Sequence, residues 1–203
     1  MDEKNNGSLS KINALREIGT IGAGRAATAL SELLRCKVDI SLPEVQMLPL
    51  EALDKILGNP EDIYFVIHIG LKRDIQGRIF FLVSVEEARQ LGARLLGKPS
   101  EEIDTSNPLF RSSLEEIFNI LTGSYFCALS DITGLTTTYE APSLAVDMVA
   151  AVLDFFFIQI AQKSEETIFI KTKLTVKNIK FNGLILFFPD TDSLQRVLDF
   201  FSV

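Results

Sequence analysis

Glu116 and Asn119 are the residues of this chain whose types and spacing best suit chemistry. With Ser112 they occupy relative positions 0, 4 and 7, which fall within an arc of about 60° on an α-helix. Residues 114, 117, 118 and 121 are apolar and lie on the opposite side, so the polar side chains are expected to face solvent. A carboxamide can accept a hydrogen bond from water while it donates another elsewhere. The pattern predicts a small catalytic or docking face on an exposed helix.

The same pattern occurs 99 residues earlier in the chain (17 to 116). Asn13, Glu17, Thr20, Gly24 and Pro43 correspond in order to Ser112, Glu116, Asn119, Gly123 and Pro142. In the first copy Leu15, Ile18 and Ile21 are predicted to form the buried side. The proline of each copy predicts a rigid turn that holds the end of a strand beside the helix. Thr20 is β-branched and shorter than asparagine, and threonine hydroxyls often bond back to the backbone, so the two copies are not chemically equivalent.

The order of predicted elements repeats as well. Repeat one covers about residues 9–97, a turn-rich connector covers 98–108 and repeat two covers about 109–203. Each repeat is predicted to contain a helix, a strand, a helix, a hairpin and a final helix. A chain of 203 residues with 47% hydrophobic content is suited to one core. We therefore expect an α/β fold: a pseudo-two-fold symmetric single domain with a mainly antiparallel sheet.

The elements next to the two prolines are predicted to differ. A short strand over 38–42 ends at Pro43, whereas a long apolar helix over 143–162 follows Pro142. The second half has seven more residues than the first between its proline and its hairpin. The 143–162 helix is therefore expected to be a feature of the second half alone.

Composition argues against several classes of function. A net charge of −7 is opposite to the basic patch that nucleic acid requires. No apolar run reaches the roughly eighteen residues of a membrane span, and the polar first residues lack the core of a signal peptide. We therefore expect a cytoplasmic protein that binds neither nucleic acid nor membrane.

Other candidate residues have ordinary structural interpretations. Cys36 and Cys127 match no metal-ligand spacing and are expected to be reduced, packed side chains. His68, the single histidine, lies in a predicted strand without a nucleophile or a metal-binding partner. Residues 22–27 have the G-x-G-x-x-A spacing of a dinucleotide site, but they lie inside a helical pattern instead of after a strand. We expect no metal and no cofactor of the protein's own.

The duplicated motif resembles that of the CheC-type phosphatases of bacterial and archaeal chemotaxis, which include CheX and the flagellar switch protein FliY. Their motif is (Ser/Asp)-x3-Glu-x2-Asn-x22-Pro, usually present twice. The second copy here matches it completely from Ser112 to Pro142. In the first copy Asn13 replaces Ser/Asp and Thr20 replaces Asn. The resemblance covers nearly the whole chain, from about residue 9 to residue 201.

The resemblance implies a phosphatase that acts on the aspartyl phosphate of the response regulator CheY, which brings its own Mg²⁺. Glu116 would dock on the lysine of the regulator's active site, and Asn119 would orient a water for in-line attack on phosphorus. The Thr20 site is expected to be weak or inactive, although Glu17 can still dock. Relatives also bind the receptor deamidase CheD through a helix after the second motif, where Asp147 is the matching acid.

Two alternatives to a phosphatase stay open at this point. The chain could act mainly as a CheD-binding regulatory protein with weak or no phosphatase activity. The missing asparagine at position 20 and the apolar 143–162 segment favour that alternative. A flagellar switch component is the third interpretation, and it is disfavoured because that class normally adds a CheY-binding peptide and a surface-presentation domain to this unit.

Overall fold

An antiparallel sheet is the central feature of the structure, a computed structural model that describes residues 2–156, 158, 166–176 and 179–200. Its strands within those residues are β1 (Val38–Pro49), β2 (Ile63–Arg73), β3 (Gly77–Ser84), β4 (Thr137–Tyr139), β5 (Ser143–Met148), β6 (Glu166–Val176) and β7 (Ile179–Pro189). Their order is β1-β6-β7-β3-β2-β4, with β5 pairing to β2 beside β4. Every pairing among these strands is antiparallel. The predicted α/β fold with an antiparallel sheet is confirmed.

Helices cover both faces of this sheet. The described residues form α1 (Asp2–Leu34), α2 (Leu53–Leu57), α3 (Val85–Leu96), α4 (Pro108–Thr133), α5 (Val149–Phe155) and α6 (Thr191–Phe200), with 3₁₀ turns at Leu50–Ala52 and Ser100–Glu102. Capping side chains mark the start of some of these helices. For example, the Ser84 hydroxyl accepts a hydrogen bond from the backbone N–H of Glu87 at 3.2 Å and caps α3.

The alternation of side chains along each strand divides the core in two. On β2, Phe65 and Ile67 point to a large cluster that includes residues of α1, α3 and α4. Val66 points to a smaller cluster on the opposite face, formed with α2 and α5. The two long helices α1 and α4 therefore lie on one face of the sheet, and their outer sides are left to solvent.

The segment after Pro142 is not the single long helix predicted from its composition. Ser143–Met148 forms strand β5, and α5 covers only Val149–Phe155; the predicted residues 157 and 159–162 lie outside the described residues. β5 pairs with β2 on the side opposite β3, where the backbone groups of β2 need partners. The prediction was wrong because that sheet edge comes from a distant part of the chain.

Strand β1 is also longer than predicted. It continues past Pro43 to Pro49, and one extra residue between Ser41 and Glu44 is accommodated as a bulge against β6. Proline is tolerated on an edge strand because its missing N–H can face away from the sheet. Pro43 therefore lies at a bulge and does not end the strand.

Two glycines of α1 allow close packing, as expected for glycines inside a helix. A Cβ at Gly19 would lie 2.5 Å from Leu42 Cδ1, and a Cβ at Gly22 would overlap Tyr125 of α4. Gly24 is different, because no heavy atom beyond its chain neighbours and the adjacent backbone of α1 lies within 4 Å of the position of its Cβ. Two of the three glycines thus have a packing explanation.

Candidate functional site

Helix α4 presents the second motif on its solvent side. Ser112 and Glu116 are exposed and Asn119 is half-buried, while the apolar residues at 114, 117, 118 and 121 are buried, as predicted. The Asn107 side chain caps the first turn, and Gly134 ends the helix in the left-handed conformation with φ 71°. The three polar side chains are therefore carried by a helix whose ends are both fixed.

The side chains of Ser112, Glu116 and Asn119 are not engaged by their neighbours. Within the part of the chain that the structure describes, none of the three forms a side-chain hydrogen bond or an ion pair. A carboxylate and a carboxamide at a helix surface normally bind water in this situation. Both groups are therefore available to a docking partner.

The β4–β5 segment runs alongside α4 and brings Pro142 to the motif. Near the start of the helix, Arg111 Nη2 donates a hydrogen bond to the Leu144 carbonyl at 3.0 Å. Three turns later, Tyr139 Oη lies 2.8 Å from the position that a Cβ at Gly123 would occupy. From residue 111 to residue 123 the helix rises about 18 Å, and from residue 139 to residue 144 the extended segment covers about 17 Å. The segment meets the start of α4 at its later residue and the later part of α4 at its earlier residue, so the two run side by side in opposite directions. Pro142 consequently lies level with the middle of the motif.

Arg111 and Tyr139 were missed by the sequence reasoning. Arg111 directly precedes Ser112, and Tyr139 lies three residues before Pro142. Their positions next to the motif were a usable signal. The contacts themselves depend on how β4 and β5 pair with β2, and no local pattern encodes that pairing.

Helix α1 presents the first motif in a similar way. Asn13, Glu17 and Thr20 are all exposed. The Thr20 hydroxyl donates a hydrogen bond to the Arg16 carbonyl at 2.7 Å, so it is turned back onto its own helix. Ile21, predicted on the buried side, is 38% exposed, because the buried side of α1 follows its glycines and alanines instead.

The two motif-bearing helices contact each other. Tyr125 packs on Gly22, and Arg25 forms an ion pair with Asp131 at 2.6 Å in which both side chains are substantially exposed. Burial raises the pKa of the Tyr125 hydroxyl, which faces the buried hydroxyl of Thr172 on β6. The contact keeps α1 and α4 in a fixed relation on one face of the sheet.

His68 lies on the other face of the sheet, away from both motifs. Its ring stacks on Phe80 with a centroid separation of 4.9 Å, and its Nε2 lies 3.1 Å from Arg78 Nη1. Burial lowers the pKa of His68, the positive charge of Arg78 lowers it further, and Glu140 partly opposes this. A neutral ring can accept the hydrogen bond from the guanidinium, which fits the predicted structural role.

Asp147 lies at the end of β5, not on a helix as predicted. Its carboxylate is exposed and accepts a hydrogen bond from the backbone N–H of Met148, the residue that precedes α5. Phe155 of α5 lines the same hollow as Asp147 and is 39% exposed. Ile63, Val146 and Met148 are also exposed, but they project from the opposite face of the sheet. Asp147 thus lies beside one exposed aromatic side chain.

The remaining candidates have simple outcomes. Cys36 and Cys127 are free, but Cys127 is exposed and not packed, because it continues the solvent side of α4. The glycine run at 22–27 lies inside α1, as expected. Among the described residues, no three His, Cys, Asp or Glu side chains come together as metal ligands. No described helix is long and apolar enough to cross a membrane.

Comparisons with known proteins agree with the motif. A sequence model of the CheC-like family matches residues 11–47. The CheY-P phosphatase CheC of Bacillus subtilis (strain 168) is 29% identical over 191 residues, which cover 92% of this chain and 91% of that protein. The flagellar motor switch phosphatase FliY of the same organism is 29% identical over 121 residues, covering 59% of this chain and 31% of FliY. The resemblance to the CheC-type family is confirmed.

Solved structures share the fold. The crystal structure of Thermotoga maritima FliY matches with a TM-score of 0.74 and 17% identity over 95% of this chain and 96% of that one. The middle domain of FliM from H. pylori matches with a TM-score of 0.67 and 15% identity over 94% and 97%. At these identities the likeness concerns the fold alone.

Proposed function

We propose that this protein hydrolyses the aspartyl phosphate of a phosphorylated CheY response regulator at one site on α4. The observation that carries the proposal is the unengaged, solvent-facing pair of Glu116 and Asn119 on a fixed helix. It occurs in a chain that is similar to a CheY-P phosphatase over 92% of its length.

Glu116 and Asn119 have separate roles in this reaction. The Glu116 carboxylate pairs with the lysine of the regulator's active site and so sets the position of the helix. Asn119 Oδ1 accepts a hydrogen bond from a water, whose oxygen attacks phosphorus in line with the bond to the aspartyl oxygen. That bond breaks, inorganic phosphate leaves, and the regulator regains its carboxylate. Mg²⁺ carried by the regulator balances the charge of the phosphoryl group.

A rigid helix is sufficient for this chemistry because an acyl phosphate is already labile. The protein only has to orient a water beside a group that the regulator itself stabilises. A hundredfold acceleration corresponds to about 2.7 kcal/mol of barrier. The caps of α4 and the contact between Arg111 and Leu144 hold the backbone that carries Asn119 in place before the regulator arrives.

The first motif is a docking surface with weak or no turnover. Glu17 is exposed as Glu116 is, so it can still meet the regulator. The Thr20 hydroxyl donates a hydrogen bond to the Arg16 carbonyl, which turns it back along α1. Its oxygen is attached to the β-carbon and extends less far from the helix than a carboxamide oxygen, so it is poorly placed to orient a water. The proposed catalytic site is therefore single.

We also propose that the two halves are structural repeats. In the sheet, β1 lies at one edge next to the β6–β7 hairpin, and β4–β5 lies at the other edge next to the β2–β3 hairpin. The strand order is therefore symmetric if β1 corresponds to β4–β5 and the β6–β7 hairpin corresponds to the β2–β3 hairpin. The pairing register shifts by one residue at the Pro43 bulge of β1 and again at Pro142, between β4 and β5. Both observations support repeats at residues 9–97 and 109–203.

A second candidate function, binding of the deamidase CheD, is supported by the surface around Asp147. An exposed carboxylate beside the exposed Phe155 ring at an edge strand is suited to a protein partner. Asp147→Lys should abolish CheD binding without unfolding the protein. Asp154→Lys on the exposed side of α5 is the matched control; equal binding by both variants would remove this candidate. Either function places the protein in the cytoplasm, where the chemotaxis relay operates.

The decay of phosphorylated CheY tests the main proposal. Wild type, Asn119→Ala and Glu17→Ala should be compared in the same assay. Wild type and Glu17→Ala should accelerate the decay, because the Glu17 helix lacks a turnover residue. Asn119→Ala should leave the spontaneous rate. A wild type that binds CheD and leaves the decay unchanged would favour the second candidate.

A further inference from the structure

We propose that Tyr139 is a positioning residue for Asn119, an assignment that rests on the proposed phosphatase function. In the working complex, the Tyr139 hydroxyl accepts a hydrogen bond from Asn119 Nδ2. The Oδ1 atom of the same carboxamide then points to the attacking water. Tyr139 itself touches neither the water nor the phosphoryl group.

The packing of Tyr139 on α4 supports this assignment. Gly123 follows Asn119 by four residues, and its Cβ position lies 2.8 Å from Tyr139 Oη. Side chains four residues apart on a helix have Cβ atoms about 5–6 Å apart. Asn119 and Gly123 lie one turn apart on the same face of α4, so Asn119 is the motif residue next to this hydroxyl. The assignment requires the Asn119 amino group to turn toward residue 123 when the regulator binds.

The hydroxyl of Tyr139 is available for this role. The side chain is 38% exposed, and its hydroxyl makes no hydrogen bond with any residue that the structure describes. Gly123 is what admits the hydroxyl, because any larger residue would occupy the same space. The phenol thus lies over the motif helix with an unused acceptor.

The first half of the chain lacks this arrangement. Ile40 stands 99 residues before Tyr139 and has no hydroxyl. Gly24, the counterpart of Gly123, has no heavy atom within 4 Å of its Cβ position beyond its chain neighbours and the adjacent backbone of α1. Asn119 and the Tyr139 hydroxyl therefore occur in the same half of the chain, which is expected if the two act together.

A positioned carboxamide gains from such a partner. Asn119 is half-buried and makes no side-chain hydrogen bond among the described residues, so its oxygen and amino group can exchange places by rotation. An acceptor beside the amino group favours the rotamer in which Oδ1 faces the water. Loss of one hydrogen bond of this kind is expected to lower turnover about three- to tenfold.

Steady-state kinetics on phosphorylated CheY tests the assignment with wild type, Tyr139→Phe and Asn119→Ala. Tyr139→Phe should lower kcat three- to tenfold with KM unchanged, whereas Asn119→Ala should leave only the spontaneous rate. Tyr64→Phe, a half-buried tyrosine on β2, should match wild type. A normal kcat in Tyr139→Phe, or a rise in KM alone, would overturn the assignment.

Substitution of Gly123 gives a second, independent test of the role of Tyr139. In Gly123→Ala the new methyl would meet Tyr139 Oη at 2.8 Å and displace it, whereas the ring carbon Cζ lies 3.8 Å away. Gly123→Ala should therefore lower kcat as Tyr139→Phe does, and the two changes together should cost no more than either alone. Fully additive losses would contradict the mechanism. If wild type and Asn119→Ala behave alike, the proposed function fails together with this inference; if only Tyr139→Phe is silent, this inference fails alone.

Discussion

The Thr20 hydroxyl donates its hydrogen bond to the carbonyl of Arg16, 2.7 Å away and one turn back along α1. Asn119, at the corresponding place on α4, has no such bond among the described residues. The two motif helices therefore share an exposed carboxylate, at Glu17 and at Glu116, but differ in the polar group one turn further on.

Thr20→Asn should restore a second site. If a carboxamide at position 20 is the only group that the first motif lacks, turnover per chain should rise by up to about twofold, because two independent sites add. The measurement is the decay rate of phosphorylated CheY at a saturating regulator concentration. Thr28→Asn is the control, since the Thr28 hydroxyl also bonds back to its helix, at 3.1 Å from the Gly24 oxygen, but lies outside the motif. Unchanged turnover in Thr20→Asn would mean that more than one residue of the site has been lost.

Arg111→Ala should destabilise the protein by about 1–2 kcal/mol, since the Leu144 carbonyl loses its half-buried charged donor. It should also lower turnover, because the β4–β5 segment loses its anchor beside the motif. Urea unfolding measures the first effect. Arg89→Ala, at an exposed position on α3, should change the free energy of unfolding by less than about 0.5 kcal/mol. Equal values for the two variants would show that the anchor contributes nothing.

The free energy of unfolding should fall as the pH is lowered from 7.5 to 5.5. Burial and Arg78 hold the pKa of His68 below its ordinary value of about 6.5. In this interval the unfolded chain binds more protons than the native one, so stability rises with pH. The pKa values of Asp74 and Glu140 are lowered from values near 4 by their hydrogen-bond partners, so their contribution changes at lower pH. His68→Gln should flatten the profile between pH 5.5 and 7.5; an identical slope in the variant would rule out His68 as its source.

Gly77→Ala should cost about 1–3 kcal/mol of stability, because Gly77 has φ 145° and a Cβ there would overlap the Phe188 carbonyl. Gly183→Ala is the matched change inside a regular strand, where the nearest atom to the new Cβ is 3.7 Å away. It should be neutral or slightly stabilising. Thermal or urea unfolding of both variants measures the difference. A smaller loss in Gly77→Ala than in Gly183→Ala would be incompatible with this hairpin geometry.

Local periodicity was enough to predict most of the fold. The β2–β3 hairpin follows from two apolar runs separated by a polar turn, and the end of α3 follows from a glycine stop at Gly97. Strand β5 could not be predicted in this way, because its partner edge on β2 lies some 75 residues earlier, as in the contact of Ser143 with His68. The continuation of β1 past Pro43 depended on a bulge against β6, which is a long-range pairing as well.

In the candidate site, too, the local features were predictable from the sequence and the long-range contacts were not. The 0, 4, 7 spacing placed Ser112, Glu116 and Asn119 on the solvent side of one helix, because helical geometry is local. The contacts that surround the motif, such as Tyr139 on Gly123, depend on tertiary register and were not foreseen. The roles of the motif residues remain predictions.

Asn119 should be needed for turnover and not for docking. The most direct measurement determines, on one preparation of Asn119→Ala, both the affinity for phosphorylated CheY and the rate at which its phosphate is lost. The affinity should stay within about twofold of wild type, because Glu116 is intact, and the decay should return to the spontaneous rate. An Asn119→Ala protein that still accelerates the decay as wild type does would contradict the assignment of the catalytic site.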